Sequence, residues 1–319
     1  MFFQTLTIVA PVFLLIGFGY VLAKAKILNQ TVGTALGEFI YVVAIPLLIF
    51  RTLTTADLSD GLPLDLWASY FLGVAGVWIL GTLVIRRGFG RDARAGAIGA
   101  ISSAFANTIL VGMPLIAAVY GDEGLVPLLL IVSIHLAVMT VAMAIVMERA
   151  AAHDSGGDSP PVSTLIKRAA ASLIRNPLVI TIIAAFLWRM TGLELPGLAS
   201  DLLNRIGATA LPLALISLGM SLVQYGMRGN ILPGLMLSAI KIFIMPAIVF
   251  TLAQYVFALP PLWVAVATLT AACPTGINAY VFANKYGTGH AMSANAITVT
   301  TGLAVLTTSL WIWFLEYML

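Results

Sequence analysis

Charge is scarce in this sequence: Asp, Glu, Lys and Arg make up 9% of its 319 residues, against 61% hydrophobic ones. A soluble domain carries about 25% charged residues, so a globular core cannot absorb the apolar excess. The mean hydropathy of +1.04 marks an all-α integral membrane protein, with the lipid bilayer as its first partner. Cysteine is almost absent. The single Cys273 excludes an intrachain disulfide, and with three histidines there is no Cys/His cluster for a metal. The enzyme motifs H-E-x-x-H and G-x-S-x-G are missing, and Cys273 has no identifiable base, so an enzyme is not expected. No cofactor and no nucleic-acid partner is expected. Met1 runs straight into Phe2 and Phe3 with no basic n-region and no small-residue cleavage site, so the first apolar segment is expected to remain as a span.

Stretches of 18 or more apolar residues, bounded by polar or turn residues, predict ten spans: 5–23, 33–53, 66–85, 95–119, 125–147, 170–190, 198–222, 231–257, 262–284 and 292–315. Alternate connections hold Lys24 and Lys26; Arg86, Arg87, Arg91 and Arg94; Arg149, Lys167, Arg168 and Arg175; Arg228; and Lys285, which is 12 of the 16 basic residues. The opposite connections hold Asp57, Asp60, Asp65, Asp122, Glu123 and Glu194, with Arg51 and Arg189 as the basic residues near span ends. The positive-inside rule makes the basic side cytoplasmic and predicts both termini outside, in a multi-pass protein of the plasma membrane (the inner membrane in a Gram-negative cell).

The longest polar stretch, Glu148 to Ser163, contains Ser155-Gly156-Gly157-Asp158-Ser159-Pro160-Pro161 and reads as a flexible cytoplasmic linker. It divides residues 1–147, with five spans, from residues 164–319, with five more. An odd number per half means that repeated halves are inverted. One ungapped offset of 166 aligns Pro11 with Pro177, Pro46 with Pro212, and Tyr120-Gly121 with Tyr286-Gly287, as a duplicated five-helix unit would. Inverted repeats are a recurring plan of secondary transporters, whose substrate sites lie near the midplane where helices of both halves are broken.

Two spans carry such interruptions. The fourth contains Asn107-Thr108-Ile109-Leu110-Val111-Gly112-Met113-Pro114, and the ninth Cys273-Pro274-Thr275-Gly276-Ile277-Asn278. At about 1.5 Å per residue, Asn107 and Pro274 each lie roughly 18 Å into their spans, close to the midplane. Unwound backbone at that depth is tolerated only where it is buried in protein or lines a cavity. Half-helix N-termini there would offer N–H groups and positive dipole ends to an anion, and Asn107, Thr108, Gly112, Pro274, Thr275, Gly276 and Asn278 are the substrate-site candidates. The competing reading makes Pro114 an ordinary kink and lets the Ser, Thr and Asn side chains bond neighbouring carbonyls.

At these residues the sequence resembles the auxin efflux carrier family, through Asn107–Leu115 with Tyr120-Gly121, and through Pro274-Thr275-Gly276-Ile277 followed by Val281-Phe282-Ala283-Asn284-Lys285-Tyr286. The resemblance implies two inverted five-helix repeats, similar to bile acid symporters and sodium/proton antiporters, in which helices 4 and 9 cross. It also implies an elevator mechanism, with spans 1, 2, 6 and 7 as scaffold and spans 3–5 and 8–10 as the moving transport domain, and a homodimer formed through the scaffold. Plant members usually place Pro immediately before the Asn of the fourth helix, where this chain has Ala106. Plant carriers move indole-3-acetate and bacterial relatives are often labelled malate or malonate carriers, so the resemblance implies a small organic anion without naming it.

Ionisable residues inside spans are functional candidates. Lys241, near the midplane of the eighth span, either counters the substrate's charge or pairs with broken-helix carbonyls as a structural cation. His135, at similar depth in the fifth, is a packing histidine or a proton sensor. Glu38 sits about a turn from the cytoplasmic side as a helix-terminal carboxylate or a coupling site. Neither break carries an Asp or Glu, which weakens cation antiport and favours potential-driven uniport or exchange of carboxylates. Proton- or sodium-coupled carboxylate transport and a transporter-like receptor stand as alternatives.

Overall fold

The computed structural model describes residues 2–56, 63–227 and 229–319; Asp57, Asp60 and Arg228 of the charge pattern lie outside the described residues. Within them the chain is helical, and the one strand-like feature is an isolated bridge between Ala106 and Thr275. The first half consists of α1 (Phe2–Lys24), α2 (Gln30–Phe39), α3 (Ile45–Thr55), α4 (Leu64–Leu83), α5 (Ala93–Ala104) and α6 (Met113–Ser155). The second consists of α7 (Val162–Leu173), α8 (Pro177–Met190), α9 (Gly197–Tyr225), α10 (Leu232–Ala239), α11 (Met245–Thr251), α12 (Pro261–Ala272), α13 (Asn278–Tyr286) and α14 (His290–Met318).

Prolines set the irregularities. Wide turns of π type occupy Ile40–Ala44, Thr108–Gly112 and Ile240–Ile244, and each closes with an N–H donating five residues back, from Ile45 to Ile40, Met113 to Thr108 and Met245 to Ile240. The next residue in each case is Pro46, Pro114 or Pro246. Proline has no N–H to give and its ring clashes with the carbonyl four residues earlier, so a widened turn lets the helix continue. Two further wide turns, Val84–Gly88 and Leu252–Val256, close the α4 and α11 helices.

Seven helices among the described residues are long and apolar enough to cross a membrane, or eight if the α7–α8 pair, bent by 76°, counts as one span. The chain is thus an all-helical, multi-pass membrane protein. The difference from the ten segments read from sequence has local causes. The fourth and fifth are counted together within α6, which Gly121 (φ 63°, ψ −156°) divides into two helices at a break only glycine adopts without strain. The ninth is divided into α12 and α13, of 12 and 9 residues. The sixth bends at Arg175-Asn176-Pro177, where Asn176 is extended as a residue before proline must be and caps α8 by accepting from the Leu178 N–H. The expected linker is also shorter: α6 continues through Glu148-Arg149-Ala150-Ala151-Ala152 to Ser155, and a left-handed Gly156 ends it.

Two packed groups emerge. In one, α1 lies along α9, and α3 packs on α8 and α9. A Cβ on Gly19 would stand 2.1 Å from the Ile216 carbonyl oxygen, and one on Gly219 2.0 Å from that of Ile16, so reciprocal glycines bring these two backbones into contact as small residues do between membrane helices. In the other, α4, α5, the far part of α6 and α10–α14 share the largest apolar core, from Leu66 and Tyr70 through Met139 and Met143 to Val249 and Ala296. A separate cluster joins α3, α8 and α9 to the first part of α6.

Candidate functional site

The two interruptions meet. After α5 ends at Ala104 and α12 at Ala272, both chains run extended and cross, with the Asn107 N–H donating to the Pro274 carbonyl at 2.9 Å and the Gly276 N–H to the Phe105 carbonyl at 2.8 Å. These reciprocal bonds form the Ala106–Thr275 bridge. They satisfy polar backbone that lipid would leave unpaired, the condition for breaking a helix at membrane depth. The approach is close: a Cβ on Gly276 would meet the Phe105 ring at 2.8 Å and the Ala106 oxygen at 3.3 Å, and one on Gly112 the Cys273 sulfur at 3.3 Å.

Thr275 is consumed by this junction. Its hydroxyl donates to the Ser102 carbonyl at 2.8 Å and its N–H to Thr300 Oγ1 at 3.0 Å, and the residue is fully buried. Asn107 is used differently. Its Oδ1 accepts from the Leu110 N–H at 3.2 Å, capping the helix that follows. That fixes the amide, and its buried Nδ2 is left without a partner.

Beside the crossing lies a cavity of about 140 Å³, well above the ~10–15 Å³ one water needs. The crossing supplies Phe105 to Leu110 and Gly276 to Asn278, α6 supplies Val132, His135 and Leu136, and the first packed group supplies Tyr41, Leu178, Val179 and Ile182. The cavity therefore sits between the two groups. Its polar side chains are Tyr41, Asn107, Thr108, His135 and Asn278, with no Asp, Glu, Lys or Arg on the lining. The N–H groups of Ile277 and Asn278, at the start of α13, donate to no other backbone group among the described residues, as the first N–H groups of a helix do not.

Among the described residues seven buried side-chain nitrogen or oxygen atoms lack a hydrogen-bond partner, and three of them, Asn107 Nδ2 and both ring nitrogens of His135, belong to cavity-lining residues. Each such atom left unsatisfied costs about 1–3 kcal/mol, and they concentrate on this cavity.

Of the residues expected from sequence, Asn107, Thr108, Gly276 and Asn278 line the cavity together with His135. Gly112, Pro274 and Thr275 shape the crossing without lining it, and Pro114 follows the wide turn that leaves it. Lys241 stands apart. It is fully buried, and its Nζ donates to the Ala271 carbonyl at the C-terminal end of α12 and lies 3.3 Å from Met245 Sδ. No ion pair among the described residues includes it; of its two readings the geometry has the carbonyl partner. Glu38 is exposed on α2 and does not line the cavity. Tyr41, Phe105 and the α8 residues were not singled out from sequence. The signal for Tyr41 is faint: its hydroxyl accepts from Nδ2 of Asn176, the residue that caps α8.

Residues 5–312 match the model of a family described as membrane transport protein. The chain is 27% identical to an "Uncharacterized transporter" of Methanothermobacter thermautotrophicus over 95% of its length and 96% of the relative's. It is 25% identical to a "Putative malonate transporter" of Rhizobium meliloti, over 94% and 92% of the two chains. A third transporter, from Methanocaldococcus jannaschii, is 24% identical over 97% and 98%.

Proposed function

The chain belongs to the membrane transport protein family, the auxin efflux carrier family of the sequence resemblance, and on that premise we propose that it is a secondary carrier of small organic anions. Carboxylates cross by elevator-type alternating access, and the crossing is their site. The observation that carries this reading is the cavity itself, which lies between two packed groups and is lined by hydrogen-bonding side chains with buried donors unpaired. A carboxylate accepts from such donors, and the N-terminal end of α13 adds a positive dipole. The malonate named for the Rhizobium relative is an acid of this class.

The proposal includes ten spans in two inverted repeats. In its favour, Leu64–Gly88 and Leu232–Val256 are each 25 residues long, each ends in a wide turn, and their starts are 168 positions apart. α5 and α12 are each 12 residues long, also 168 apart, two more than the ungapped offset of 166. Tyr120-Gly121 and Tyr286-Gly287 both end half-helices on a glycine of positive φ. The scaffold is α1–α3 and α7–α9 and the transport domain is α4–α6 and α10–α14, a division favoured by the core that α4, α5, the far part of α6 and α10–α14 share and by the close α1–α9 contact at Gly19 and Gly219. The scaffold's exposed Leu14, Phe18 and Leu202 leave apolar faces for lipid and for a second copy. Both termini lie outside the cytoplasm, on the charge asymmetry of the connections.

No carboxylate lines the cavity. A potential negative inside favours anion exit by about 2.3 kcal/mol per charge per 100 mV, which is sufficient to drive uniport or exchange. One observation favours a second reading, proton coupling: His135, a titratable group, lies on the cavity. Uptake of labelled malate, malonate, succinate and indole-3-acetate into proteoliposomes, with potential, pH and Na⁺ gradients imposed separately, tests both. Flux that follows potential alone supports the uncoupled carrier. Flux that requires a pH or Na⁺ gradient overturns it, and binding without flux identifies a receptor.

A further inference from the structure

We infer that His135 is a specificity-determining residue: its imidazole hydrogen-bonds a second oxygen-bearing group of the substrate, a carboxyl or a hydroxyl, so the cavity selects small bifunctional acids over simple monocarboxylates. The inference rests on the cavity being the substrate site.

His135 is 2% exposed, it lines the cavity, and neither ring nitrogen has a partner among the described residues. Its surroundings explain why. The rings of Tyr70, Phe71 and Phe105 stand 5.7, 6.2 and 4.9 Å from it, centroid to centroid, and offer apolar surface in place of acceptors. The Tyr70 hydroxyl is itself unpartnered and so does not serve the histidine. No Asp, Glu, Lys or Arg lines the cavity, and the ion pairs of the described residues, Arg51–Asp122, Arg94–Asp154 and His153–Asp154, all lie elsewhere.

The two unsatisfied stations differ in chemistry. Asn107 has its Oδ1 committed to Leu110, so what it turns to a ligand is a donor only, suited to a carboxylate oxygen. A neutral imidazole offers one N–H and one lone pair in either tautomer, which suits a hydroxyl or a carboxyl. The stations are close in the chain's own frame, because the Phe105 ring packs on His135 two residues before Asn107. A monocarboxylate held at Asn107 leaves His135 buried and unpaired. Sites built to hydrogen-bond a group reject analogues lacking it far more strongly than apolar pockets reject a methylene. With no cation on the lining, this selection works through hydrogen bonds and not through charge.

The test is equilibrium dialysis of labelled acetate, glycolate and malonate against the purified protein, a set that adds a hydroxyl or a carboxyl to one parent acid. The unaltered protein is expected to prefer glycolate or malonate to acetate by about tenfold or more. His135→Phe, whose ring suits the aromatic cluster, is expected to abolish that preference, and His135→Gln, which keeps a donor and an acceptor, to retain most of it. The acid whose preference falls further identifies the group that His135 reads. If His135→Phe weakens all three acids equally, or the preference survives it, the inference falls while the substrate-site reading stands. If none of the acids binds in a way that Asn107→Ala weakens, both fall.

Discussion

The two breaks are sequence relatives that do different work. In the first, Phe105–Asn107, the Asn side chain spends its oxygen on capping the following helix and leaves its buried nitrogen without a partner. In the second, Cys273–Ile277, the Thr275 side chain and N–H are both committed, to Ser102 and Thr300, and no side chain caps α13. The second break is therefore the anchor of the crossing, and it lines the cavity from Gly276 to Asn278. The first break supplies the side-chain donor. A crossing with one tied half and one open half keeps its geometry when the cavity is empty and still has hydrogen bonds to give.

The comparison is broken most severely at Gly276. A Cβ there meets the Phe105 ring at 2.8 Å, and that ring is wedged against His135 at 4.9 Å, so it has little room to retreat. Gly276→Ala should cost about 1–3 kcal/mol of stability and abolish uptake, seen as a lower melting temperature together with absent flux. Thr275→Val sharpens the contrast with a smaller effect. Losing the bond to Ser102 should lower stability by about 1 kcal/mol, while the affinity for a transported acid, measured by dialysis, stays close to that of the unaltered protein. An equal loss of affinity in Thr275→Val would return this residue to the binding site.

The mildest change is Ala106→Pro, which installs the proline that plant members of the family carry. The Ala106 N–H donates to no backbone group among the described residues, and Phe105 is already extended at φ −77°, ψ 104°, the region required before proline. Stability should move by no more than about 1 kcal/mol, with flux retained. A large loss would show that the first break depends on the Ala106 N–H.

Much of this architecture was legible in the sequence because its causes are local. Helix interruption follows from Pro, Gly and small polar residues at midspan, and Asn107, Thr108, Gly276 and Asn278 line one cavity. What the pattern could not separate was Asn107 from Thr275. Both are polar residues at a break, and only the tertiary partners Ser102 and Thr300 reveal that one is already satisfied. On the far wall Leu178, Val179 and Ile182 carry no periodic or polar signal, because ordinary apolar residues acquire their role by docking, and Tyr41 is marked only by its tertiary bond to Asn176. The sixth span hid a bend at Asn176-Pro177, since hydropathy reports apolar length and not backbone direction, whereas the break at Gly121 falls between the fourth and fifth segments read from sequence.

The claim that the crossing binds the substrate is tested most directly by equilibrium binding of the best-transported acid to the unaltered protein and to Asn107→Ala, with melting temperatures taken on the same samples. A hydrogen bond to a charged group is worth about 1.5–3 kcal/mol, so affinity should fall by about 10- to 100-fold, while loss of the cap costs about 1 kcal/mol of stability. Unchanged affinity in a folded Asn107→Ala protein would contradict the account and place the substrate elsewhere.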